Sequence, residues 1–316
     1  MNLIAWNRNH IDELVALWNK ELSTHFPMRK ELFVQNSFED VNVLEEGSFI
    51  AVDDNSKVIG FVVSKKWQEK KKVEMDFKKG WIQVLLVDSA YRGKGIGTLL
   101  LEQAEAALKE SGAEVIQLAG DPFHYFPGVP EVYPDVQKWV EKFGYNKKLD
   151  AFDLINHLVK KYPFPNESSA SFSVLQIEEK EEFLSFLARC FPGRWEYEAI
   201  KYFEMGGIGR EFVVAKKNGS IIGFCRMNDS ISPSIAQNVY WSPLFEQEVG
   251  GIGPLGIDSS ERKQGYGLEV VVAAMAYLQE REVETIIIDW TNLLEFYGQL
   301  DFVPWKKYGI YLKDKE

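Results

Sequence analysis

Val84-Leu85-Leu86-Val87-Asp88-Ser89-Ala90-Tyr91-Arg92-Gly93-Lys94-Gly95-Ile96-Gly97-Thr98-Leu99-Leu100 is the stretch whose reading decides the fold of this chain. The apolar run 81–87 reads as a buried strand. Three glycines then alternate with Lys94 and Ile96. Leucines and alanines at 99, 100, 104, 107 and 108 follow at helical spacing. A strand, a glycine-rich turn and a helix start make an anion site. The first-turn N–H groups of a helix lack internal partners, and the helix dipole adds partial positive charge there. Glycines remove the side chains that would keep a phosphate from those groups.

Around this stretch the chain divides into similar halves. Residues 2–6 read as a strand, 10–22 as an amphipathic helix capped by Asn9, and 49–52 and 58–63 as a hairpin across Asp53–Lys57. The lysine-rich segment 65–79 reads as a solvated hairpin tip or a phosphate attractor. After the helix come a strand at 115–119 and a stiff loop, Gly120 to Pro130. That loop either shapes a pocket or plugs the sheet edge. A helix at 134–143 ends on Gly144. The second half repeats the order: strand 172–177, helix 179–191 and a hairpin turning at Asn218-Gly219. Pro254-Leu255-Gly256-Ile257 and Arg262-Lys263-Gln264-Gly265-Tyr266-Gly267 follow, then an apolar helix and the strand 285–289. Two copies make a duplication, not a solenoid. The predicted domains are 1–160 and 172–316, joined by a Pro- and Ser-containing linker at 161–171.

Composition restricts the function. The 316 residues carry a net charge of −11, which argues against nucleic acid and anionic membranes as main partners and fits a cationic substrate. No apolar run reaches the roughly 18 residues of a membrane span, and the N-terminus lacks a secretion-signal pattern. Two cysteines, Cys190 and Cys225, fit buried thiols in a reducing cytoplasm. Four scattered histidines offer no metal-ligand spacing.

Known phosphate loops are mostly excluded by spacing. Neither copy has the Gly-x4-Gly-Lys-Ser/Thr of nucleotide triphosphate loops. Thr98 stands where a dinucleotide fingerprint needs its third glycine, and the second copy has Lys263 in place of the first. The pattern Arg-x-x-Gly-x-Gly, in Arg92/Gly95/Gly97 and again in Arg262/Gly265/Gly267, resembles the acetyl-coenzyme A loop of the Gcn5-related N-acetyltransferase (GNAT) family. The arrangement is similar to tandem-domain members such as mycothiol synthases. The resemblance implies an α/β fold of two tandem GNAT-like domains, each a mixed, mostly antiparallel sheet flanked by helices. It implies acetyl-coenzyme A as cofactor and the amine of a small molecule or peptide as acceptor. The diphosphate would sit on Arg92, Gly93, Lys94, Gly95, Ile96, Gly97 and Thr98, and on Arg262, Lys263, Gln264, Gly265, Tyr266 and Gly267. The pantetheine arm would pair with backbone at Leu85 and Val87, and at Leu255 and Ile257, where the family's strand splays from its neighbour.

The family's acid is a Tyr in a Tyr-x-x-x-Gly-Phe pattern. Tyr297 fills that place in the second copy, although Asp301 replaces the glycine. In the first copy Val140 stands there, leaving Tyr125 or Tyr133 as substitutes. Asp289 and Glu295 in the second copy and Asp121 in the first are the candidate bases, and the sequence selects none. Catalysis is expected in the second copy. The alternative is a non-enzymatic coenzyme A-binding module with degenerate sites.

Overall fold

The computed structural model describes residues 1–314. The first half of the chain runs β1 (Asn2–Ala5), α1 (Ile11–Leu22), α2 (Lys30–Ser37), β2 (Phe49–Val52), β3 (Val58–Lys66), β4 (Lys79–Val87), α3 (Ile96–Glu110), β5 (Val115–Leu118), β6 (Val129–Pro130), α4 (Pro134–Lys142) and β7 (Asn146–Asn156). The second half runs β8 (Ser171–Val174), α5 (Lys180–Cys190), α6 (Arg194–Glu204), β9 (Phe212–Lys217), β10 (Ser220–Asn228), β11 (Val249–Ile257), α7 (Tyr266–Glu280), β12 (Thr285–Thr291), α8 (Leu294–Gly298) and β13 (Val303–Asp314). The main elements of the expected duplication are present in both halves, although β6 has no counterpart in the second. The strand expected at 172–177 is the shorter β8, α6 is a helix beyond those expected, and the first helix start differs. Asn7, not Asn9, caps a short 3-10 turn by accepting the Asn9 N–H, and α1 begins after it.

Two compact units result, each an α/β unit with a mixed, mostly antiparallel sheet flanked by helices. In the first, β1, β2, β3 and β4 run antiparallel in order, and β4 pairs parallel with β5. Leu100, Leu101, Ala104 and Leu108 of α3 pack on this sheet with Ile59, Val62, Ile82 and Ile116. In the second, β8 to β11 run antiparallel, and β11 pairs parallel with β12. Val270, Val271, Ala274 and Leu278 of α7 cover it. The parallel pair in each unit follows from a helical crossover between its strands.

The units do not follow the boundaries expected at 160 and 172. The first comprises Met1–Lys71, Asp76–Ala151 and the chain from 307 onward; the second comprises Lys72–Met75 and Phe152–Lys306. The physical reason is strand exchange. The end of β13 pairs antiparallel with β5 (Tyr311 with Leu118, Lys313 with Ile116), while the end of β7 pairs with β12 (Asn156 with Ile286, Leu154 with Ile288). The expected linker is part of the second unit. Tyr162 is buried there, donating its hydroxyl to Asp301 at 2.7 Å, with the Leu300 carbonyl 3.0 Å from the same oxygen.

The lysine-rich segment is solvated along most of its length, with Lys70, Lys72 and Lys78 exposed, but not at its start. Its first lysine, Lys65, is fully buried and lies 2.8 Å from Asp40 and 2.7 Å from Asp121. Of the two thiols, Cys225 is buried, while Cys190 is only half-buried, 3.4 Å from the Asp258 carboxylate.

Strand exchange makes a distinguishing prediction. Tyr311 is buried in the first unit and donates to Glu141 at 3.0 Å. Tyr311→Ala is expected to cost about 3–5 kcal/mol. Hydrogen exchange should then show lost protection in β4 and β5 and unchanged protection in β11. Loss confined to residues 172–306 would contradict the exchange.

Candidate active site

Each glycine loop is built the same way. In the first, the Asp88 N–H donates to Ile59, and the Asp88 carboxylate accepts the Ala90 N–H at 3.0 Å, closing a 3-10 turn. In the second, the Asp258 N–H donates to Ile222 and its carboxylate accepts the Ser260 N–H at 3.0 Å. That bond and the Arg189 guanidinium hold the Asp258 carboxyl well below the usual carboxylate range. Gly95 (φ 80°) and Gly265 (φ 90°) then start α3 and α7 from the left-handed region, where side chains are strained. A Cβ on either would enter open space.

The two arginines of the motif have a further duty. The Arg92 side chain donates Nε–H to the Val87 carbonyl at 3.0 Å and pairs with Glu21 at 2.6 Å. Arg262 donates Nε–H to the Ile257 carbonyl at 3.1 Å. Each guanidinium thus ties the loop to the end of its strand.

Beside each loop the parallel strands part. Pairing of β4 with β5 runs from Lys79–Val115 to Ile82–Leu118, and that of β11 with β12 from Val249–Thr285 to Gly251–Ile287. Because Asp88 and Asp258 donate to the neighbouring antiparallel strand, alternate residues bond in that direction. Leu86 and Gly256 therefore bond to β3 and β10. Leu85, Val87, Leu255 and Ile257 turn their backbone groups to the parted side, opposite Val62, Gly60, Cys225 and Gly223. An extended chain with alternating donors and acceptors fits this edge, and an anion fits the adjoining helix start. The residues present thus fit a coenzyme A-like group in both units.

The electrostatics differ. No acid lies in the first turn of α3, and Lys94 rests over the Tyr91 ring at 4.9 Å. The second loop carries Glu261, paired with Lys217 at 2.8 Å, and Glu269, which accepts the Ser168 hydroxyl at 2.7 Å. Ser169 and Tyr266 share a 2.6 Å hydroxyl contact there.

Beyond the first loop, the stiff loop is a plug. Asp121, His124, Tyr125 and Phe126 are all buried. Trp18 meets Tyr125 at 4.9 Å and Phe126 at 5.7 Å, and Phe126 meets Phe26 at 4.9 Å. Asp121 is held by Lys65. Burial opposes the Lys65 charge, yet Asp121 and Asp40 keep its pKa above the usual value. Tyr125 lies 2.7 Å from the Ser37 hydroxyl, and Val140 is core. A half-buried Tyr133 remains, its phenol pushed up by burial.

Beyond the second loop, ionisable groups gather. Asp289 stands just past the point where β12 leaves β11, and a Cβ on Gly253 would come within 3.9 Å of its Oδ1. Burial, and then the neighbouring Asp153, push the Asp289 carboxyl up to about 7, against the pull of Arg194. Arg194 donates to Glu198 at 2.7 Å and lies 4.6 Å over the Trp290 ring. Burial brings the Lys306 ammonium down to about 8, against Asp153. Tyr297, buried on α8, is pushed up by burial and then by Cys225 and Asp289, so it stays a neutral phenol. The departure at Asp301 is conformational. It adopts φ 63°, the left-handed state that Gly144 adopts (φ 86°) in the first copy, and aspartate tolerates it better than most residues. Glu295 is exposed and stands apart from this group.

Sequence reasoning named Asp289 and Tyr297 but missed Asp153, Arg194, Glu198 and Lys306. A charge inside the apolar run Phe152-Asp153-Leu154-Ile155 was the signal for Asp153. Its place beside β12 depends on strand exchange. A separate cleft, lined by Trp6, Arg8, Phe38, Glu39 and Glu45, involves no residue of either loop. Among the described residues, no helix is long and apolar enough to cross a membrane.

Comparison with known proteins bears on the fold and the family. The model of the acetyltransferase (GNAT) family matches residues 11–124 and again 180–302. A mycothiol acetyltransferase of Thermobispora bispora is 24% identical over 247 residues, covering 70% of this chain and 72% of that protein. The GCN5-related glucosamine N-acetyltransferase region of a fungal multi-domain GH3 β-N-acetylglucosaminidase superposes with a TM-score of 0.87 at 25% identity. The match covers 98% of this chain and 38% of that much longer one. A tandem GNAT protein from the clavulanic acid biosynthesis pathway shares the fold, with a TM-score of 0.71 at 13% identity over 99% of this chain and 98% of that one.

The loop geometry makes its own prediction. Gly95→Val and Gly265→Val each place a branched side chain at a left-handed position and in the path of an anion, at a cost of roughly 1–2 kcal/mol in strain. Each is expected to lower coenzyme A affinity at its loop at least tenfold by calorimetry. Unchanged uptake in the double variant would remove the loops from the site.

Proposed function

The chain belongs to the acetyltransferase (GNAT) family, and from that premise we propose that its second unit moves an acetyl group from acetyl-coenzyme A to a primary amine. The observation that carries this is the Asp289–Tyr297 pair beside the parted strands. One group titrates near neutral pH and the other keeps its proton.

Acetyl-coenzyme A supplies an acyl carbon activated by its thioester. Leu255 and Ile257 would hold its arm, and the loop 262–267 its diphosphate. An amine arrives as an ammonium ion, which cannot attack. Asp289 takes its proton and passes it to water, and Asp153 and Glu198 make the surroundings favourable to the cation. As the C–N bond would form and the C–S bond break, the nitrogen would lose its second proton to the freed Asp289 carboxylate, Tyr297 would donate its proton to the departing sulfur, and the phenolate would regain a proton from Asp289 through water. The products are an amide and a free thiol.

Two further points refine the reading. The fungal relative is described as a glucosamine N-acetyltransferase. That description, with the acidic surroundings, supports the amine of an amino sugar as acceptor. In the first unit Ala119 holds the strand position of Asp289, the candidate acid Asp121 is spent on Lys65, and Val140 replaces the tyrosine. This favours a first unit that holds the cofactor without turning it over.

Two outcomes test the proposal, both read as thiol release with glucosamine as acceptor. Tyr297→Phe should lower kcat about 10- to 100-fold while coenzyme A affinity stays within about twofold. Equal turnover would remove the assignment. Because Asp289 is a base only when deprotonated, kcat/KM should rise with pH through about 7 and fall below it. Asp289→Asn should abolish that limb and lower kcat about 10²- to 10⁴-fold.

A further inference from the structure

The base of this reading sits on an irregular piece of backbone. Strand β12 pairs with β7 at Ile288–Leu154 and resumes at Thr291–Phe152, so Asp289 and Trp290 together oppose the single residue Asp153. This is a β-bulge, the device that bends a strand and re-aims a side chain. Trp290 adopts φ 44°, a left-handed conformation that a bulky residue does not take without support. Asp153 supplies some of that support. Its Oδ1 accepts the Trp290 N–H at 3.3 Å. Asp153 is itself buried, on the end of β7 that joins the second unit.

We infer that Asp153 is a positioning residue for Asp289: it pins the bulge that carries the base and keeps a second carboxyl beside it. The inference rests on the proposed acetyl transfer. It goes further by giving a residue from the first half of the chain a part in the chemistry of the second unit.

The groups that act on Asp289 come from several elements. Asp153 on β7 and Glu198 on α6 are like charges that raise its proton affinity, and Arg194 on α6 lowers it. Tyr297 on α8 and Cys225 on β10 are neutral, and Lys306 on β13 acts on Asp153. Two carboxyls in one site cannot both ionise freely, so the proton that Asp289 must accept is held more tightly while Asp153 is charged. Asn at 153 keeps the oxygen that accepts the Trp290 N–H and removes the charge. It therefore separates the electrostatic part from the structural one.

The experiment is a pH profile of kcat/KM for the full chain with acetyl-coenzyme A and glucosamine. Asp153→Asn should move the acidic limb down by about one pH unit, with a lower plateau because a weaker base is less effective. Asp153→Glu should return the limb towards its original place. A limb that stays put in Asp153→Asn overturns the inference. Loss of activity without a shift also overturns it, since a purely structural residue would do that. If Asp153→Asn yields no folded protein, carboxyl 13C titration of the unmodified chain decides. Coupled titration of Asp153 and Asp289 supports the inference, and an Asp289 that titrates near 4 overturns it. Asp289→Asn keeps the two readings distinct. Full activity there defeats the proposed base itself, whereas its inactivity with an unmoved Asp153→Asn limb defeats only the role of Asp153.

Discussion

Two parallel strands that separate after three or four residue pairs are the constraint on which the rest of this structure depends. Backbone N–H and C=O groups are obligatory hydrogen-bonding groups, and a strand that loses its neighbour must find partners elsewhere. At Val87 and Ile257 the exposed carbonyl is met by an arginine from the following turn. The remaining outward groups at Leu85 and Leu255 form an edge, and a ligand with amide groups of its own suits such an edge. The helix that starts beside it, with free N–H groups and a left-handed glycine, extends the same edge towards an anion.

The two units then differ in what fills the space beyond. In the first, aromatic rings of α1 and of the loop after β5 interlock. The carboxylate of Asp121 is paired with the buried Lys65. In the second, the Asp153 and Glu198 carboxylates and the Arg194 guanidinium act on Asp289, and Asp153 in turn acts on the Lys306 ammonium, which burial weakens. One arrangement stabilises a fold, and the other leaves a group able to gain and lose a proton near neutrality.

Much of this was legible in the residues. The duplicated strand, turn and helix came from short-range patterns: apolar runs, an Asn-Gly turn and glycines at a strand-to-helix junction. Tyr297 was legible because its spacing survives Asp301, which accepts the backbone state of the glycine it replaces. What stayed hidden depends on long-range pairing. Lys65 sits in a run of lysines, and local charge density points it to water; only Asp40 and Asp121, distant in sequence, bring it inside. Asp153 was hidden for the same reason, since its partner strand lies more than a hundred residues away. The plug formed by 120–130 was ambiguous because aromatics and prolines suit a pocket wall as well as a stopper.

The exchange of final strands has a consequence for how the protein is made. Residues 115–118 reach the ribosome exit long before residues 311–314, with which they pair. The earlier half of the nascent chain therefore emerges with an open sheet edge that residues 311–314 close only later, and such edges invite association with other chains. Closing this pairing so late carries the loop-closure entropy of the long segment between residues 118 and 311. A gene split between its two repeats would produce neither half intact. The duplication is thus no longer divisible into its ancestral copies.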